Sequence, residues 1–297
     1  VLKGDSGYFP GPVNLGVWVR EGRAVLVDSG GDDSAARKVI KALEAEGLTL
    51  DAVVSTHSHA DHIGGNAFLR RRTGCRIVAS EGEAPLLAHP ELEPLYLWSA
   101  LPPKPLSGKF LQAQPCAVTD RIGEEGLVPG TPLRAISLRG HMVDMIGVLT
   151  PDGVLFCADA LLSPTVLEKY GVPFVVHIGQ ALASIDRIEA LAAEPGGPEI
   201  FVPSHGIPTD REGLSALAEA NRAALNDLTE TVASLCDGSR SRDGILEGLA
   251  EARGFSLNLV EYVLFLSSVS AALARLMDLG RVAPVIDGSR IRFGRVA

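Results

Sequence analysis

The feature that most limits how this chain can fold is the segment Thr56-His57-Ser58-His59-Ala60-Asp61-His62. Three imidazoles and one carboxylate stand within six residues, directly after the short apolar run Asp51–Ser55. That run reads as a strand, so the cluster begins at a strand's C-terminal end. His57 and His59 are two residues apart, and in an extended strand end alternate side chains share a face. Two neutral imidazoles on one side make half of a site for a borderline metal such as zinc. Asp61 and His62 fall where the chain turns into a helix, predicted from near His62 to about Arg72. There they can face a second point close by.

The surrounding pattern predicts a layered α/β domain. Asn14–Arg20 and Arg23–Val27 read as a hairpin around Glu21-Gly22. Ser34–Glu46 has helical periodicity and stops at Gly47. Arg76–Ala79, Leu133–Leu138, Met145–Thr150, Val154–Cys157 and Glu199–Val202 read as strands, and Ala181–Ala193 as a helix. Pro90–Pro115 holds six prolines and reads as an irregular excursion with one short helix, either a substrate wall or a plain surface insertion. Past Thr209 the chain is mostly helical to about Gly280 and closes on a hairpin at Arg281–Phe293. The predicted division is a catalytic domain over residues 1–210 and a small helical, winged-helix-like domain over 211–297.

Bulk properties narrow the function classes. The 297 residues carry a formal net charge of −9, a poor start for a nucleic-acid binder, whose affinity rests on neutralising phosphates. Residues 211–297 hold ten Arg, no Lys and eleven Asp or Glu, where a nucleic-acid domain should show a basic face. Leu259–Leu279 is strongly apolar, so it is expected to pack on the catalytic domain or across a homodimer rather than read bases. No apolar run reaches the roughly 18–20 residues of a membrane span, and no basic-then-apolar segment opens the chain. Cys75, Cys116, Cys157 and Cys236 match no zinc or disulfide spacing and read as idle thiols. Together these lead to the expectation of a cytoplasmic protein acting on a small molecule, with no membrane partner.

Three more ligand-type residues lie at predicted strand ends or loops: His141 after Gly140, Asp159 after Cys157-Ala158, and His205 before Gly206. Strand C-terminal ends are where open α/β sheets place their chemistry. A lone histidine at a strand end is more often surface or core than ligand. The cluster joined to three such residues is far harder to reach by accident.

In combination, His57-X-His59-X-Asp61-His62 with Gly64-Gly65, Gly140-His141, Asp159, His205-Gly206 and the early Val25–Gly30 segment resembles the metallo-β-lactamase superfamily over residues 10–210. The resemblance implies an αββα sandwich with a two-metal site at one edge. By that pattern His57, His59 and His141 hold one metal, Asp61, His62 and His205 hold the other, Asp159 bridges them, and Asp28 is structural support. A carboxylate bridge is similar to glyoxalase II, lactonase, phosphodiesterase and nuclease branches, and argues against β-lactam hydrolysis. The chemistry implied is a metal-bridged hydroxide as nucleophile, with Asp61 passing a proton to the leaving atom. Two divalent ions are expected, zinc first, with iron or manganese as alternatives.

Substrate-facing candidates are Tyr170, whose hydroxyl can donate to a developing oxyanion, and His177. Asp144 and Met145 depart from the small residues many relatives carry there, and are expected to reshape the mouth of the site. The leading functional reading is a hydrolase of small thioesters, lactones or similar esters. The alternative is a phosphodiesterase or single-strand endoribonuclease on the same site, and a third is a di-iron redox or binding module.

Overall fold

The computed structural model describes residues 1–296. In chain order the first half comprises β1 (Ser6–Phe9), β2 (Leu15–Arg20), β3 (Arg23–Val27), α1 (Asp33–Ala45), β4 (Thr49–Val54), α2 (Ala60–Ile63), α3 (Asn66–Thr73), β5 (Arg76–Ser80), α4 (Ala84–Ala88), α5 (Leu92–Trp98) and β6 (Asp120–Ile122). The second half comprises β7 (Gly126–Leu127), β8 (Arg134–Ser137), β9 (Ile146–Leu149), β10 (Val154–Ala158), α6 (Pro164–Tyr170), α7 (Ile178–Ala193), β11 (Ile200–Pro203), β12 (Thr209–Asp210), α8 (Arg211–Leu235), α9 (Arg242–Arg253), α10 (Leu259–Asp278), β13 (Val282–Asp287) and β14 (Arg290–Arg295).

Strands β1 to β6 form one sheet in sequence order, and β12-β11-β10-β9-β8-β7 form a second. Period-two burial sorts each strand between two cores. Val25 and Val27 of β3, with Val54 and Val78, meet Ala135, Val148, Val154 and Phe156 of the opposite sheet. The intervening Ala24 and Leu26 turn outward with Val53 and Ile77 and bury Val39, Leu43 and Leu69 of α1 and α3. On the far side Leu155, Cys157 and Phe201 pack against Ile185 and Ile188 of α7. The result is helix, sheet, sheet, helix, the predicted αββα sandwich.

The helix expected from His62 to Arg72 is two helices, broken at Gly64-Gly65. A Cβ on Gly64 would stand 2.3 Å from the Gly31 backbone. The break lets this turn lie directly on the loop after β3, which a continuous helix with side chains could not do. The Pro-rich excursion contains α5 and a single 3₁₀ turn, Lys104–Leu106.

After Asp210 three helices and a hairpin follow in the expected order. They share their core with the rest of the chain: Leu214, Leu228, Ile245, Val269 and Leu276 belong to one continuous cluster with Leu155 and Phe201. The Ser268 hydroxyl donates to the Pro173 carbonyl at 3.0 Å and ties α10 to the loop before α7. The expectation that no segment is long and apolar enough for a membrane span is corrected here. By length and apolar content α10 could cross a membrane, but 50% of its most apolar window is buried inside the protein. That helix is apolar because it packs from several sides. All four cysteines are free and buried.

Candidate metal centre

Seven sequence-predicted residues converge at one edge of the sandwich. β3, β4 and β10 end there, and so does β11, parallel to β10. The loop after β4 brings His57 to His62, the β8–β9 connection brings His141, the end of β10 brings Asp159 and the end of β11 brings His205. Ala158 is held at φ 50° beside a register irregularity in β10. This sparsely populated conformation turns Asp159 out of the strand and into the site.

Four of the five imidazoles are aimed by a hydrogen bond on the other nitrogen. Asp28 Oδ1 accepts from the Thr56 amide (2.8 Å), and Oδ2 accepts from the Thr56 hydroxyl (2.9 Å) and from His62 Nδ1 (2.8 Å). Since the Thr56 hydroxyl gives its only proton to Asp28, its oxygen must accept from His57 Nδ1, 3.0 Å away. One carboxylate therefore sets the tautomer of two histidines. His141 Nδ1 donates to the Phe174 carbonyl (3.0 Å) and His205 Nδ1 to the Pro12 carbonyl (2.7 Å). Asn14 donates to the carbonyls of Pro203 (2.9 Å) and Gly206 (2.6 Å), fixing the His205 loop against the first sheet. In His57, His62, His141 and His205 it is therefore Nε2 that faces the site.

His57 Nε2 and His141 Nε2 lie 3.1 Å and 3.0 Å from His59 Nδ1. Four ligands held about 2.1 Å from a tetrahedral ion stand roughly 3.4 Å apart, so this triad is close to the required edge length. A second group gathers around His205 Nε2, 3.4 Å from Asp61 Oδ2 and 3.4 Å from Asp159 Oδ2. His62 Nε2 completes it, 3.9 Å from Asp61 Oδ1. Asp159 lies between the groups, with Oδ2 3.6 Å from His141 Nε2 and Oδ1 3.5 Å from His62 Nε2. His62 Nε2 and Asp159 Oδ1 are fully buried with no hydrogen-bond partner among the described residues. Orphaned buried polar atoms are costly unless something satisfies them, and a cation between them would. The donor set fits divalent metal ions.

The electrostatics divide along the same line. Burial holds His57 and His141 below the ordinary imidazole range and lowers His59 to about 3. These three are neutral and ready to donate lone pairs. Burial acts the same way on His62 and His205, but the carboxylates overcome it. Asp159, Asp61 and Asp28 push His62 well above its usual range, and Asp159 with Asp61 raises His205 to about 10. In turn His205 and His62 hold Asp159 well below the carboxylate range in spite of its burial, and His62 and His205 do the same for Asp61.

The site floors a cavity of about 170 Å³. Tyr170 lines it, half-exposed at the rim, with its hydroxyl accepting from Lys169 at 3.5 Å. His177 does not line it. Its Nδ1 accepts from the Gln180 amide (3.1 Å) and caps α7, so its role is structural. Asp144 and Met145 also lie away from the mouth. Met145 is fully buried, and Asp144 accepts from the Gly82 amide (2.8 Å) and from Arg139 (2.7 Å).

Two glutamates that sequence reasoning passed over belong to the site. Glu83 is fully buried and accepts from the amides of Ser58 (3.0 Å) and Asp144 (3.0 Å). It clasps the His57–His62 loop to the His141 loop. Glu93, also buried, lines the cavity with Oε1 3.8 Å from the unpartnered His59 Nε2. Burial, then the nearby Asp61 and Glu83 charges, pushes its carboxyl well above the usual range.

Residues 8–205 match the family model described as the metallo-beta-lactamase superfamily. A hydroxyacylglutathione hydrolase from Synechococcus sp. (strain WH7803) is 31% identical over 227 residues, 73% of this chain and 74% of that protein. A hydroxyacylglutathione hydrolase from Methylococcus capsulatus is 27% identical over 205 residues, 69% of this chain and 67% of that one. Among solved structures, a metallo-beta-lactamase family protein from Thermus thermophilus aligns with TM-score 0.72 at 24% identity, over 98% of this chain and 97% of its own. A beta-lactamase domain protein from Burkholderia ambifaria aligns with TM-score 0.71 at 21% identity, over 98% and 91%. These structural matches extend through the C-terminal helices, beyond the reach of the family model.

Proposed function

The chain belongs to the metallo-β-lactamase superfamily of hydrolases, and from that premise we propose that it hydrolyses thioesters or related small esters with two divalent ions. The observation that carries this reading is the convergence of five histidines and two aspartates into overlapping groups of ligand atoms beneath one cavity. His57, His59 and His141 would hold one ion, Asp61, His62 and His205 the other, with Asp159 shared. Divalent ions held there supply Lewis acidity, which makes water nucleophilic near neutral pH and polarises a carbonyl oxygen. The relatives named for hydroxyacylglutathione hydrolysis favour the thioester within this class.

The chain's own groups do the rest. The second nitrogens of four histidines are committed to Asp28, Thr56, Phe174 and Pro12, so the ring orientations are set before substrate arrives. Asp61 is half-exposed to the cavity and is positioned to take a proton from the attacking water and return it to the leaving atom. The balance is simple: one C–O bond forms from water, one C–S or C–O bond breaks, and the released thiol or alcohol carries the transferred proton.

The test is direct. Protein stripped by chelation and reloaded in turn with zinc, iron and manganese is assayed for thiol release from an acyl thioester. Turnover that requires metal and is lost in Asp159→Ala supports the reading. Inactivity on thioesters, esters and lactones with cleavage of a phosphodiester would overturn it.

A further inference from the structure

The cavity above the ligand cluster has a one-sided lining for an enzyme whose relatives are named for a glutathione thioester. Phe110 and Leu111 come from the Pro-rich excursion, Val166 and Leu167 from α6, Phe174 from the following loop and Leu264 from α10. Among the described residues, no Lys or Arg lines it. Apart from the ligand candidates, the carboxyl group on the wall is that of Glu93, buried beside His59. A charged chain seated against this wall finds no cationic partner among the lining residues, since Lys169 stands outside it, 3.5 Å from the Tyr170 hydroxyl at the rim. Burying an unpaired carboxylate is expensive. An uncharged hydrocarbon chain meets the opposite situation, since every methylene it brings into the cavity leaves water.

We propose that the non-reacting part of the substrate is a neutral, apolar acyl chain, seated between α6 and α10 with its carbonyl at the metal cluster. This deepens the hydrolase reading and rests on it. Selectivity then comes from a wall, not from a charged clamp. Tyr170, half-exposed at the rim, marks where the chain gives way to the leaving group, which lies toward solvent and is weakly selected.

The experiment has two arms. In the first, metal-loaded protein is given acetyl, butanoyl, hexanoyl and octanoyl thioesters of a small neutral thiol, together with a hexanoyl-length thioester ending in a carboxylate. Specificity, kcat/KM, is expected to rise about fourfold per added methylene until the wall is covered. The carboxylate-ended substrate should fall at least about tenfold below its neutral counterpart. A flat series, or preference for the charged chain, overturns the proposal and leaves the hydrolase reading intact. In the second arm, metal-stripped protein is titrated calorimetrically with N-octylacetamide, a neutral chain that cannot turn over. Binding that weakens at least about tenfold in Leu264→Lys supports the apolar seat even if no thioester is hydrolysed. Absence of binding to the stripped, folded wild-type protein counts against it. Should Leu264→Lys fail to fold, the wild-type chain-length series and the wild-type titration still decide.

Discussion

Asp28 orients His62 directly and His57 through Thr56. Asp28→Ala is therefore expected to weaken metal binding about 10–100-fold, read by competition with a chromophoric chelator, although Asp28 is not itself a ligand candidate. A second prediction concerns protons. In the metal-free protein His62 and His205 are protonated well above the ordinary 6.5, His205 up to about 10. Metal must displace those protons, so titration with zinc in weak buffer at neutral pH should release acid, and affinity should fall as pH falls. No proton release would show that the imidazoles are already neutral. The same shifts set the metal-free stability profile. Raised values at His62 and His205 stabilise the fold fully below 6.5; the His205 part is lost as pH rises through about 10, and the His62 part as pH rises through that group's own raised value. The lowered values of His57, His59 and His141 remove stability as pH falls below 6.5. Urea unfolding of stripped protein across this range checks both limbs. The ligands were legible in sequence because four lie within six residues and the other three sit at strand ends. Glu83 and Glu93 were not, because a glutamate at the start of a short helix or inside one carries no local sign of the loop it will meet.

At the scale of elements, the site depends on close backbone approaches. Gly140 sits at φ 123°, and a Cβ there would stand 2.2 Å from the Ala181 amide nitrogen. Its carbonyl also accepts from the amides of Val176 and His177. Gly140→Ala must shift the start of α7 or the His141 loop. It is expected to lower the melting temperature and to reduce bound metal per chain by elemental analysis. Glu83→Ala leaves the buried amides of Ser58 and Asp144 without acceptors, at a cost of roughly 2–6 kcal/mol. Denaturant unfolding measures that, and Glu83→Gln, which keeps one acceptor oxygen, should recover part of the loss. Most strands were legible because period-two burial and turn residues mark them. β6 and β7, of three and two residues, exist only by pairing with neighbours and have no periodicity to show. The break between α2 and α3 went unread because the Gly64-Gly65 pair has a reason that lies across space, at Gly31.

At the scale of the whole molecule, the C-terminal helices close the second helical layer. Leu214, Leu228, Val269 and Leu276 share one core with Leu155 and Phe201, so a chain ending at Asp210 would expose that face. Truncation there is expected to give aggregated or dye-binding protein, detected by light scattering and by fluorescence of a hydrophobic probe. The sequence did point to burial of the α10 region through its run of apolar residues. It could not reveal that one face of that helix is left over for the cavity, since Leu264 and Phe265 read like any other core residues.

That leftover face separates two kinds of inheritance. The metal-ligand candidates lie between His57 and His205, inside the stretch shared with the superfamily model. Part of the surface that chooses the molecule lies on α10, outside it. Substitutions on α10 can retune what enters without disturbing how it is cleaved. Descendants of such a chain would keep a recognisable catalytic signature while their diets diverge, with the record of that divergence written in a helix no catalytic motif covers.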